Sequence, residues 1–281
     1  MRKIETIHDL RSGLAPARRA GRTIGLVPTM GALHEGHRSL MRIARQQCQE
    51  VVVSIFVNPT QFGPNEDYQR YPRPAEADLA CCADERVDTV FMPSVEEMYP
   101  VGETTRVAVT RLTEGLCGRF RPGHFDGVTT VVAKLFNIVQ PDRAYFGQKD
   151  AQQVVVIRQM VRDLCFPLEI VTCPIIREPD GLAMSSRNMY LSPADRKQAL
   201  SLSGALRWAQ QTIAAGQRDV AALVAEMREQ IASSGRCRID YVEIVDADSL
   251  VPKTTITGRC LIALAVHIGP ARLIDNVVVE G

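Results

Sequence analysis

Two imidazoles, one ammonium and one guanidinium are the groups that type and spacing best equip for chemistry in this chain. His34 and His37 stand three positions apart in Leu33-His34-Glu35-Gly36-His37, so they point the same way once the chain turns into a helix. A helix start offers free backbone N–H groups and the positive end of a dipole, which attract phosphate. Imidazole N–H groups beside them make His-x-Gly-His a triphosphate cradle. Lys149, in Gly147-Gln148-Lys149-Asp150, reads as a cation on transferring phosphates. Met184-Ser185-Ser186-Arg187 is a small polar loop ending in a cation, which reads as a mobile clamp on phosphates. Taken singly, Lys149 and this loop are ordinary surface features. Gln61 and Gln153 both donate and accept hydrogen bonds, which suits a small acid carrying hydroxyls. Arg121 and His124 either bind anions or hold their Pro/Gly loop in shape.

Other chemistries find no footing. Neither a Walker loop nor the dinucleotide fingerprint occurs. Paired acid–base carboxylates, a Cys–His nucleophile and a Ser-His-Asp arrangement are not visible. The eight cysteines contain no C-x-x-C pair and read as small buried hydrophobes, not a disulfide frame or zinc site. The net charge is +1, so no global field recruits nucleic acid. No apolar run reaches the ~18 residues of a membrane span. Met1 to Thr6 lacks a signal-peptide core, so the chain is expected in the cytoplasm.

These residues need elements to position them. Ile24–Val27 is a short apolar run that predicts a buried parallel strand, stopped by Pro28. Gly31 and Gly36 allow unusual backbone angles, and a helix is predicted from Ser39 to about Gln49. Val51–Val57 is a β-branched strand ending at Asn58-Pro59, just before Gln61. A helix over Ala75–Glu85, a strand over Val87–Met92 and an edge strand over Val107–Thr110 follow. Arg119–Asp126 is a loop opening a helix over Val128–Val139. The strand Asp142–Phe146 runs into Gly147–Asp150, then a helix over Ala151–Leu164 and a strand over Leu168–Cys173. The alternation predicts a Rossmann-like, doubly wound parallel sheet, with ligands beyond the carboxyl ends of its strands. After Pro174 come a polar connector, two helices and three short strands. Residues 1–175 are therefore expected to form the nucleotide- and acid-binding domain, and residues 176–281 a smaller α+β lid domain.

Six motifs in order carry a full-length resemblance: VPTMGALHEGH (27–37), VSIFVNPTQF (53–62), RPGHFDGV (121–128), FGQKDAQQ (146–153), DGLAMSSRN (180–188) and ARLIDN (271–276). The sequence resembles the pantoate–β-alanine ligases. That resemblance implies an ATP-dependent ligase that works through pantoyl adenylate and releases AMP and pyrophosphate. It implies an ATP site lined by Met30, Gly31, Ala32, Leu33, His34, Glu35, Gly36 and His37. Gly147, Gln148, Lys149, Asp150, Ile176, Met184, Ser185, Ser186 and Arg187 would complete it. His34, His37, Lys149 and Arg187 would serve catalysis. Gln61 and Gln153 would hold pantoate, with Gln61 also near β-alanine. The resemblance further implies a magnesium requirement, with ligands the sequence does not name, and a cytoplasmic homodimer. The runner-up is another nucleotidyltransferase of the His-x-Gly-His group, such as a cytidylyltransferase. A non-catalytic ATP sensor would have no use for the glutamine pair, and a tRNA synthetase lacks room for an anticodon domain.

Overall fold

The computed structural model describes residues 1–64 and 66–281. The chain divides into two compact units. The first comprises Met1–Arg111, Arg121–Gly147 and Val156–Pro174; the second comprises Leu112–Phe120, Gln148–Val155 and Ile175–Gly281.

The first unit is built on a six-stranded sheet, parallel throughout. Its elements are β1 (Arg2–Ile4), α1 (Ile7–Arg19), β2 (Ile24–Thr29), α2 (Glu35–Gln47), β3 (Glu50–Ile55), α3 (Ala75–Asp84), β4 (Thr89–Phe91) and α4 (Val95–Met98). After α5 (Leu116–Phe120), which belongs to the second unit, come α6 (His124–Val139), β5 (Arg143–Gly147), α7 (Ala151–Asp163) and β6 (Glu169–Cys173). The strand order is β1-β4-β3-β2-β5-β6, so it reverses between β2 and β5, where doubly wound sheets bind ligands. Every residue of β3 is buried, as its unbroken β-branched run requires of a strand covered on both faces. One core gathers Val27, Met41, Val53, Cys82, Val90 and Tyr145. Burial pushes the Cys82 thiol up to about 12 and that of Cys173 to about 11, which leaves both inert at neutral pH.

Several expectations are corrected. Pro28 lies inside β2 instead of ending it, paired with Ser54 of β3. The Phe56 N–H donates to the Thr29 carbonyl, so Thr29 faces β3 and Pro28 faces the other way. On that side β5 pairs only with Gly25 and Leu26, and no ladder bond is lost to the missing N–H. Val107–Thr110 is not a strand: Val107 bonds the Thr129 and Thr130 hydroxyls of α6 through its carbonyl and N–H. The Arg119–Asp126 stretch contains the end of α5, and α6 starts at His124, four residues early. β1 escaped sequence reading because three residues carry no period.

The second unit carries a three-stranded antiparallel sheet, β7 (Cys237–Asp246), β8 (Arg259–Ile268) and β9 (Ala271–Glu280), with β8 central. Helices α8 (Pro193–Ala214) and α9 (Val220–Ser233) belong to it. Alternation along β8 builds two cores. Ile262, Leu264, Val266 and Ile268 pack with α8 and α9, while Leu261, Ala263 and Ala265 pack with Leu116 and Ala151. Leu116–Phe120 and Gln148–Val155 thereby join this unit although they lie earlier in the chain. Among the described residues, no helix is long and apolar enough to cross a membrane.

Candidate active site

The turn after β2 is held from three sides. Thr29 donates its hydroxyl to the Ser54 carbonyl at 2.8 Å and accepts the Gly31 N–H at 3.2 Å. Gly31 has φ +81°, and a Cβ there would meet Asp78 Oδ2 at 2.8 Å and Ile55 Cγ2 at 3.0 Å, so glycine is required on both counts. Ala32 follows at φ +51°. Asp78, on α3 and 2% exposed, accepts the N–H groups of Ala32 at 2.9 Å and Leu33 at 2.8 Å. Burial raises the Asp78 pKa and the two N–H bonds pull it back, leaving it above the ordinary value.

That turn delivers the chain to α2, which begins at Glu35, four residues before the expected start. His34 is the N-cap, and its Nδ1 accepts the Gly36 N–H at 3.1 Å. His37 returns the arrangement: its Nδ1 accepts the His34 N–H at 3.3 Å. The two rings lie 4.1 Å apart, centre to centre. An imidazole whose Nδ1 accepts carries its ring proton on Nε2. Both rings therefore present Nε2–H donors, at the positive end of the α2 dipole. Met30, Gly31, Ala32, Leu33, Glu35 and Gly36 all fall in this turn or the first turn of the helix.

Gln61 sits in a 3₁₀ turn, Pro59–Gln61, capped by Asn58. Asn58 was missed from the sequence, where Asn-Pro reads only as a strand end. It is buried, donates to Gln61 Oε1 and to the Gly127 carbonyl, both at 3.1 Å, and accepts from the Tyr99 hydroxyl at 2.8 Å. Gln61 Nε2 lies 2.9 Å from Met30 Sδ, joining it to the turn after β2. Gly127 lets α6 approach: a Cβ there would fall 2.4 Å from the Thr60 carbonyl oxygen. Arg121 and His124 both hold the Gln61 turn. His124 Nδ1 lies 2.8 Å from the Gln61 carbonyl, and Arg121 bonds that carbonyl at 3.3 Å and Glu66 at 2.6 Å. Burial works to raise the Glu66 pKa, but Arg121 outweighs it and holds the carboxyl below its usual range. A cavity of about 250 Å³ beyond β3 and β4 is lined by Met30, Phe56, Tyr68, Arg73, Asp78 and Met92, among others.

In the second unit Gln148–Asp150 forms a 3₁₀ turn directly after Gly147, the last residue of β5. Asn276, 3% exposed, fixes it by donating to the carbonyls of Gln148 at 3.0 Å and Lys149 at 2.9 Å. Gln148 Nε2 returns a bond to Asn276 Oδ1 at 3.0 Å. Gln152 is buried and bonds the Leu112 and Gly115 carbonyls and the Cys117 N–H, whereas its neighbour Gln153 is half-buried. Met184 donates its N–H to the Ile176 carbonyl at 2.9 Å, bringing those two expected residues together. Ser185 caps the 3₁₀ turn Ser186–Tyr190, its hydroxyl accepting the Arg187 N–H at 3.2 Å. Asn188 ties this turn to Glu178 at 2.6 Å and to the Ala183 carbonyl at 3.0 Å.

A parallel sheet whose order reverses beside a strand–turn–helix with two N–H-presenting imidazoles defines an α/β enzyme of nucleotide chemistry. Comparison with known proteins specifies which. Residues 2–278 match the pantoate–beta-alanine ligase family. A pantothenate synthetase of Moorella thermoacetica is 60% identical over 280 residues, covering 100% of this chain and 99% of that protein. The crystal structure of the Thermus thermophilus pantothenate synthetase superposes with a TM-score of 0.95 at 48% identity, covering 100% of both chains. That of the Francisella tularensis pantoate–beta-alanine ligase, complexed with beta-gamma ATP and beta-alanine, gives 0.83 at 38% identity, over 99% of this chain and 97% of that one. The chain belongs to the pantoate–β-alanine ligase family, and is an ATP-dependent ligase that forms pantothenate.

Proposed function

We propose that the ligation runs in two half-reactions. The carboxylate of pantoate attacks the α-phosphorus of ATP, giving pantoyl adenylate and pyrophosphate. The amine of β-alanine then attacks the acyl carbon, and AMP leaves as the amide forms. A carboxylic acid with an ordinary pKa of about 4 is already ionised at neutral pH, so the first step needs no general base. It needs relief of the repulsion between a carboxylate and a triphosphate. His34 and His37 supply neutral donors through Nε2–H, and Lys149 and Arg187 supply cations. Met30 to His37, Gly147 to Asp150, Ile176 and Met184 to Arg187 bind ATP. Gln61 and Gln153 hold pantoate, and Gln61 also serves β-alanine. Residues 1–175 are assigned the binding of nucleotide and pantoate, and residues 176–281 the role of a smaller lid domain. The ligands of the Francisella enzyme, beta-gamma ATP and beta-alanine, support the same pair for this chain.

The observation that carries the reading is the engagement of both Nδ1 atoms with backbone N–H groups, which commits both rings to donate from Nε2. Magnesium fits as part of the nucleotide: among the described residues no group of three or more His, Cys, Asp or Glu could cage a metal, and this ion is ordinarily held by substrate phosphates with few protein carboxylates. Bound there, it would neutralise phosphate charge. The enzyme is proposed to act as a cytoplasmic homodimer, which light scattering of the purified chain tests.

The deciding experiment is ATP–pyrophosphate exchange across a panel of small carboxylic acids. Pantoate alone should support exchange. Exchange that strictly requires β-alanine overturns the free-standing adenylate, and CTP working better than ATP favours a cytidylyltransferase.

A further inference from the structure

We infer that Asp78 is a positioning residue for adenylation, acting on His34 through the two peptides that precede it. The inference rests on the reading of His34 and His37 as phosphate donors. Asp78 lies 46 positions from Ala32 in sequence, yet its carboxylate takes both N–H groups that precede the first histidine, at 2.9 and 2.8 Å. Each oxygen serves one N–H, so a single rigid group fixes two consecutive peptides. Those peptides flank the two left-handed residues, Gly31 at φ +81° and Ala32 at φ +51°, of which the alanine is strained. The left-handed conformation is unfavourable for an alanine, whose Cβ crowds the following carbonyl, and it persists only where its surroundings enforce it. Asp78 is the enforcing group. The direction in which the chain leaves Ala32 sets where the His34 ring lands, and the His34 N–H in turn fixes the His37 ring.

The frame behind Asp78 is stiff. Its helix, α3, is clamped to α2 farther along by Arg38 to Glu85 at 2.6 Å and Arg42 to Glu85 at 2.8 Å. A carboxylate is the group this site needs, because it meets two N–H donors with acceptors only. An amide of the same shape would turn an NH₂ toward one of them, leaving two donors face to face in a buried place.

The test compares Asp78→Asn, His34→Ala and the double variant, with Ala32→Gly as a suppressor. Asp78→Asn should lower the pantoate-dependent ATP–pyrophosphate exchange rate on the order of 10- to 100-fold, the scale on which small misplacements of a reacting group act. The KM for pantoate should change little, and amide formation from presynthesised pantoyl adenylate should persist. In the double variant the losses should not multiply, because both substitutions remove the same interaction. Ala32→Gly in the Asp78→Asn background should restore part of the rate, since glycine takes a positive φ unaided. A general loss of stability would instead lower both half-reactions together and would not respond to Ala32→Gly. Should Asp78→Asn fail to fold, Asp78→Ser, whose hydroxyl still accepts one N–H, is measured in the same way. If His34→Ala slows exchange and the folded Asp78 variant does not, the positioning role is overturned and the phosphate cradle stands. Multiplicative losses also overturn it. If His34→Ala leaves exchange intact, the cradle itself fails and the role assigned to Asp78 fails with it.

Discussion

Two helices of this protein begin with the same pattern of hydrogen bonds made by very different residues. At α8 Ser192 accepts the Asp195 N–H at 3.1 Å, Asp195 Oδ2 lies 3.4 Å from the Ser192 N–H, and Pro193 occupies the first helical position. Serine, aspartate and proline are the residue types those positions favour. At α2 His34 and His37 make the equivalent pair of bonds with ring nitrogens, at 3.1 and 3.3 Å. Imidazole is not a favoured cap. The serine and aspartate cap with oxygens, whereas each histidine caps with Nδ1 and carries its ring proton on Nε2. Capping through Nδ1 fixes both rings at the start of α2 with their N–H groups on Nε2.

The largest expected effect breaks that comparison directly. His34→Ser makes α2 begin as α8 does. The cap survives, so thermal stability should be at least that of the parent. The first half-reaction should slow by roughly a hundred- to a thousandfold, about 3–4 kcal/mol by analogy with lost oxyanion donors. His37→Ala and Lys149→Ala should do the same, while retaining much more of the second half-reaction, from which pyrophosphate has already departed. Rapid quench of each half-reaction measures this, and near-parental adenylation by His34→Ser would reduce His34 to a helix cap. Next is Gly127→Ala, aimed at the third capped turn, where Asn58 presents Gln61. The added methyl falls on the Thr60 carbonyl, and overpacking of this kind costs about 1–3 kcal/mol. Denaturant melts should register that loss, together with a raised KM for pantoate. Gln61→Ala and Gln153→Ala should each weaken pantoate use by roughly 0.5–3 kcal/mol, and ATP binding less, in calorimetric titrations of the two ligands. Equal losses for both ligands would move the glutamines out of the acid pocket. Smallest is Ser192→Ala, which should cost about 1 kcal/mol of stability with both half-reaction rates unchanged. Slowed chemistry in that variant would erase the distinction between the two helix starts.

Legibility in the sequence follows the range of the interactions. β3 was readable because period and β-branching are local, and its limits differ from the expected Val51–Val57 by a residue or two. The start of α2 was misplaced because a histidine cap is a rare signal, and Pro28 misled because its harmlessness depends on where β5 stops pairing. Val107–Thr110 has a strand's composition, but the α6 hydroxyls take its polar groups before another strand can.

The sequence by itself determined the alternating strands and helices, the placement of His34, His37 and Gln61 just beyond strands, and the family, because each is written in adjacent residues. Tertiary structure decided which groups hold them. Asp78 in the first turn of a helix looks like a favourable charge on a dipole, and only folding reveals that it serves two peptides 45 and 46 positions away. Asn58 finds Gly127 across 69 positions, and Asn276 finds Lys149 across 127. Buried polar groups must pair, but the partner is whichever group the packed elements bring within about 3 Å, and local spacing carries no record of that.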